Sequence, residues 1–99
     1  MSDHLNVSRE ALADFCRRNH IRRLSLFGSV LRDDFGPNSD VDVLVDFESG
    51  HRIGLIKMAG IEIQLSQLFG RKVDLRTPMD LSRYFRDEVV SSAEVQYAA

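Results

Sequence analysis

Three carboxylates in this chain interrupt segments that otherwise read as buried strands. Asp40 and Asp42 lie in SDVDVLVDF (residues 39–47), and Asp74 lies in KVDLRT (72–77). Residues two apart on a strand share a face. Asp40 and Asp42 therefore point one way, while Val41, Val43 and Val45 point the other way into a core. Two like charges on one face repel each other and resist leaving water. A divalent cation shared between them removes both objections, and Mg²⁺ suits carboxylates that act together with phosphate oxygens. The plainer alternative is an exposed strand start, where the pair needs no ion. Asp46 has the same parity but sits at the far end of the strand, where solvation is expected.

Asp74 interrupts a later strand in the same way. If the two strands are neighbours, three carboxylates converge on one face. That set suffices for two metal ions about 3.5–4 Å apart, the arrangement used for in-line displacement at phosphorus. Asp74 would ligate the ion at the attacking hydroxyl and serve as acceptor for its proton. Upstream, Gly28-Ser29 ends an apolar stretch and runs into VLRDDF, a candidate short helix. Free backbone N–H groups at such a start attract anions, glycine permits close approach, and the Ser29 hydroxyl adds a phosphate ligand.

The elements that must position these groups follow from pattern. Ser8 is a plausible N-cap for SREALADFCRRNH, with Leu12, Phe15 and Cys16 on one helical face. IRRLSLF (21–27) and residues 41–47 read as strands, and GPNS (36–39) and residues 48–52 as a loop and a polar turn. Met58, Ile61, Leu65 and Leu68 recur at helical spacing within Ile53 to Phe69, which Gly70 should end. Gly60 weakens that helix at its centre. A third strand is expected at 72–77, then a proline-started helix at Thr77-Pro78-Met79-Asp80. A helical tail from Ser82 to Val95 follows, with Tyr84, Phe85, Val89 and Val90 as its apolar positions. The expected order is αβαβαβα: an α/β (α+β) fold with a small mixed β-sheet flanked by helices, residues 1–99 forming one domain.

Composition narrows the partners. A formal net charge of -2 argues against an extended nucleic-acid groove, so contact with nucleotides should be local and metal-assisted. A single cysteine cannot form an internal disulfide, which fits a reducing cytoplasm, and Cys16 reads as a core residue. The first residues lack a signal-peptide pattern, and no apolar run approaches the length of a membrane span. His4, His20 and His51 read as surface residues, Arg17-Arg18 and Arg22-Arg23 as solvated faces, and Tyr84, Phe85 and Tyr97 as packing or interface aromatics. A core this small is compatible with a stabilising second copy or a different partner.

Gly28-Ser29, ten residues (30 to 39), then Asp40-x-Asp42 and a later-strand Asp74 resemble the signature of the DNA polymerase β-like nucleotidyltransferase superfamily. Within it, FGSVLR, SDVDVLVDF and GRKVDLRTP resemble the minimal nucleotidyltransferase family, which includes MntA antitoxins. The likeness runs from about Leu24 to the C-terminus, and every catalytic position is filled. It implies Asp40, Asp42 and Asp74 as catalytic metal ligands, two Mg²⁺ ions, and nucleotide phosphate binding at Gly28 and Ser29. Arg32, three residues after the motif serine, is implied as a further phosphate contact or is an ordinary exposed charge.

The function implied is an enzyme: Mg²⁺-dependent transfer of AMP from ATP to a hydroxyl. Relatives of this kind pair with a small helical HEPN RNase toxin and neutralise it by modifying a tyrosine, which makes the acceptor a protein. ATP as donor rests on the resemblance alone. No larger substrate domain is expected, so base and acceptor must be read by a thin surface or a partner. Two other functions are compatible with the chain: an antitoxin that masks its toxin by binding alone, and nucleotidyl transfer to a small-molecule hydroxyl.

Overall fold

Ser8 caps the first helix as its position predicts. Its hydroxyl accepts a hydrogen bond from the Ala11 amide (3.4 Å), and α1 runs Arg9–Arg18. This computed structural model describes residues 7–28, 36, 39–48 and 53–99. Leu12, Phe15 and Cys16 are buried along one side of α1. Burial pushes the Cys16 thiol up to about 12, with the Arg17 charge opposing the shift. A thiol held protonated in this way is a core residue and not a nucleophile. His20 then takes a left-handed conformation (φ 58°) and turns the chain into the sheet.

The sheet has four strands in the order β3-β2-β1-β4. β1 (Ile21–Phe27) and β2 (Val41–Phe47) are antiparallel, and β2 and β3 (Val73–Arg76) are parallel. The parallel pair is joined through α2 (Leu55–Phe69), since parallel neighbours need a crossover. A register shift between Ile21 and Arg23 departs from strict alternation. It leaves Arg22 and Arg23 both exposed while Ile21 and Leu24 both enter the core.

Alternation then sorts the sheet into two faces. Leu24, Leu26, Val41, Val43, Val45, Val73 and Leu75 pack with Leu12, Phe15, Ile61, Leu65 and Phe69 in one cluster beneath α1 and α2. Asp42 and Asp74 therefore belong to the opposite face. Gly70 closes α2 in the left-handed conformation (φ 69°), and Gly60 is accommodated within the helix. Asp46 is half-buried and pairs with Arg22 at 3.6 Å, so it is less solvated than its strand-end position suggests. Among the described residues, no helix is long and apolar enough to cross a membrane.

Two expectations for the C-terminal third are corrected. The capping box at Thr77 and Asp80 is present, but it starts only a single 3₁₀ turn, Pro78–Asp80. The tail is not one helix. α3 covers Arg86–Ser92 alone, Ala93 turns extended, and β4 (Glu94–Ala98) pairs with the free edge of β1. Local apolar spacing suggested a helix here, but the open edge of β1 recruited the β-favouring Val95 and Tyr97. The expected αβαβαβα order thus gains a fourth strand. The short helix expected at VLRDDF lies outside the described residues.

β3 is an edge strand whose outward amides do not face solvent. Ser66 on α2 accepts from the Val73 amide through its hydroxyl (3.0 Å) and donates to the Glu62 carbonyl (2.8 Å). The Glu62 carboxylate accepts from the Leu75 amide (2.9 Å). Two side chains of one helix thus grip the strand on either side of Asp74. Glu62→Ala should leave the part-buried Leu75 amide without its acceptor and cost about 1–3 kcal/mol, read as a lower urea midpoint. Glu62→Gln, which keeps an oxygen there, should recover most of the loss. An unchanged midpoint in Glu62→Ala would show that the latch contributes nothing.

Candidate active site

Backbone register brings the carboxylate strands together. Asp42 pairs across the sheet with Phe27 on one side and with Asp74 on the other. Asp42 and Asp74 are thus directly opposite on neighbouring strands, about 4.8 Å apart in backbone spacing, and both are half-buried. Asp74 also meets Arg76 on its own strand face, with Nε to Oδ1 at 3.3 Å and Nη2 to Oδ2 at 3.4 Å. That guanidinium offsets some of the charge repulsion between the two carboxylates.

Asp40 sits one residue before β2 and is more exposed. Its carboxylate lies 3.9 Å from the Lys72 ammonium. Gly36, four residues upstream, is tied to the end of α2. Arg71 donates to the Gly36 carbonyl at 2.6 Å, and the Val41 amide donates to the Lys72 carbonyl at 2.9 Å. No local sequence pattern singles out Arg71 for this role.

Gly28 ends β1 with φ 73°. A side chain there would collide with Asp42: an added Cβ would lie 3.2 Å from the Asp42 Cγ and closer still to one carboxylate oxygen. Glycine is therefore required twice, by its left-handed backbone and by the carboxylate that fills the space. Ser29 and Arg32, the other expected phosphate ligands, lie outside the described residues.

A cleft of about 410 Å³ opens over Gly28 and Asp42. Phe27 lines it from β1, and Phe85, Glu88, Val89 and Ser92 line it from α3. The positions 85, 88, 89 and 92 are one stripe of a helix. Phe85 and Val89 were legible as apolar helical positions, Phe85 as a packing or interface aromatic, whereas nothing in the sequence singled out Glu88 or Ser92.

The donor set is oxygen only. Among the described residues, no three His, Cys, Asp or Glu side chains close around an ion by themselves. Two carboxylates on adjacent strands beside a glycine cradle nevertheless fit Mg²⁺, which takes one or two carboxylates plus substrate phosphates and not a full protein cage.

The nucleotidyltransferase domain family matches residues 8–96. The protein adenylyltransferase MntA of Thermococcus cleftensis is 42% identical over 55 residues, which make up 56% of this chain and 54% of that protein. A solved minimal nucleotidyltransferase superposes with a TM-score of 0.70 at 35% identity, covering 86% of this chain and 85% of that one. The same fold recurs, at 19% identity and a TM-score of 0.65, in the complex of a tri-AMPylated Shewanella oneidensis HEPN toxin with MNT antitoxin. There the match covers 92% of this chain and 70% of that one.

Gly28→Ala should strain the left-handed backbone by about 1–2 kcal/mol and push the Asp42 carboxylate aside. Its urea midpoint should fall. Gly60→Ala, whose added methyl meets nothing within 4 Å, should instead stabilise the fold by about 0.5–1 kcal/mol and raise the midpoint. Equal effects at the two glycines would contradict the close approach.

Proposed function

The chain belongs to the nucleotidyltransferase domain family, and from that membership we propose that it transfers AMP from ATP to a hydroxyl of a HEPN-type toxin, most simply a tyrosine, and thereby acts as its antitoxin. The observation that carries this reading is the juxtaposition of Gly28, Asp42 and Asp74 at one end of the sheet. Similarity to an adenylyltransferase supports AMP as the transferred group. A tri-AMPylated HEPN toxin held by a protein of this fold supports a protein acceptor.

The reaction joins the acceptor hydroxyl oxygen to the α-phosphorus of ATP. The bond from that phosphorus to the bridging β-oxygen breaks, pyrophosphate leaves with the electron pair, and the hydroxyl proton needs a base. Gly28 and Ser29 hold the triphosphate through backbone amides and a hydroxyl, with Arg32 as a further contact. Asp40, Asp42 and Asp74 would hold magnesium, with Asp74 as acceptor for the proton. Magnesium held there would offset the triphosphate charge and lower the pKa of the attacking hydroxyl. The pairing of β2 with β3 fixes Asp42 and Asp74 before substrate arrives, so little ordering of these two remains to be done during the reaction.

We take residues 1–99 as one nucleotidyltransferase domain working in the cytoplasm, where ATP, magnesium and the RNA targets of such a toxin coexist. Labelled ATP, Mg²⁺ and the product of the neighbouring toxin gene should yield labelled toxin. Asp40→Asn with Asp42→Asn should cut transfer by at least about a hundredfold while the fold is retained. Neutralisation retained by that double variant, with no transfer by the parent, would replace the enzyme with a masking protein. Label on a small hydroxyl compound and never on the toxin would move the acceptor to a small molecule.

A further inference from the structure

The α3 wall of the cleft carries two groups that the reaction does not use. Phe85 is 61% exposed although it is a large aromatic ring, and it lines the cleft with Val89. Its neighbour Tyr84 is more exposed still, at 78%, but is already engaged. The Arg83 guanidinium lies 5.2 Å from the Tyr84 ring centroid, and Arg83 also donates to the tyrosine oxygen at 3.3 Å. No such cation covers Phe85 among the described residues. Glu88, one turn along the same stripe, forms no ion pair or hydrogen bond through its side chain with any described residue.

We propose that this wall is the nucleoside subsite: Phe85 stacks on the nucleobase and Glu88 accepts a hydrogen bond from its exocyclic amino group. The inference rests on the nucleotidyltransferase reading and adds to it the element that selects the base. Charge decides the orientation of the nucleotide. Asp42 beside Gly28 repels a triphosphate as Glu88 does until magnesium offsets its charge, so the metal-bearing Gly28 side takes the phosphates and the uncharged base takes the α3 side. Val89 and Phe27 supply apolar surface on which a flat ring sits, and stacking on an aromatic side chain serves any base. An ionised carboxylate only accepts hydrogen bonds. It therefore favours a base edge that carries an amino donor over one that lacks it. The cleft volume of about 410 Å³ lies within the range of small-ligand sites.

The test is calorimetric binding, with Mg²⁺ present, of a non-hydrolysable ATP analogue and of the same analogue lacking the 6-amino group. No acceptor is needed. The parent should prefer the amino compound by about tenfold or more. Glu88→Ala should bring that ratio close to one. Phe85→Ala should weaken both compounds by about tenfold and leave the ratio intact, and Phe85→Trp should restore the affinity. Both residues are exposed, so the fold should survive each change. If the parent binds both compounds and the variants alter neither affinity nor ratio, the subsite is refuted while the nucleotidyltransferase reading stands. If Phe85→Ala spares nucleotide binding and raises only the KM for toxin, α3 is an acceptor-docking surface and the proposal falls. If the parent binds neither compound, the reading beneath it falls as well.

Discussion

Gly28 carries no side chain because the Asp42 carboxylate occupies the space where one would be. That contact ties the residue after β1 to the second residue of β2, and the remaining features of the site are arranged around it. Antiparallel pairing of Phe27 with Asp42 brings the two segments side by side. Parallel pairing of Asp42 with Asp74 adds the third segment. A slip of one residue in either pairing would move a carboxylate to the core face, where an unpaired charge is costly. The valines that alternate with the aspartates prevent such a slip, since they are fully buried only in this register.

The two faces of the sheet thus have different tasks. One face is closed by α1 and α2 and holds the apolar core. The other keeps the carboxylates half-exposed and is only partly covered by α3. Chemistry placed on strand ends inherits the rigidity of the sheet, which preserves charge geometry better than a loop does. The parts most exposed to loosening carry added ties. Ser66 and Glu62 grip the edge strand that bears Asp74, and Arg71 fixes the approach to Asp40.

Much of this was legible in the residues themselves. The Asp-Val alternation at 40–43 announces both the strand and its two faces, and Gly70 announces the end of α2. Gly28 was readable as a turn, though not as a residue that must yield its side-chain space to Asp42. What was not legible depends on contacts distant in sequence. β4 formed because β1 offered an open edge, and no local pattern in EVQYA records that edge. The roles of Glu62 and Arg71 depend on a strand and a loop that fold against them from elsewhere. Phe85 and Val89 show the intermediate case. Their helical spacing was visible, but which way the stripe faced required the path of β4 and the position of α3.

The most direct measurement is an anomalous difference map from crystals grown with Mn²⁺, which takes the same oxygen ligands as Mg²⁺, and a non-hydrolysable ATP analogue. A manganese peak between the Asp42 and Asp74 carboxylates, with the triphosphate against the Gly28 turn, is the result expected here. A nucleotide bound elsewhere on the chain, with no metal peak at those carboxylates, would contradict the account.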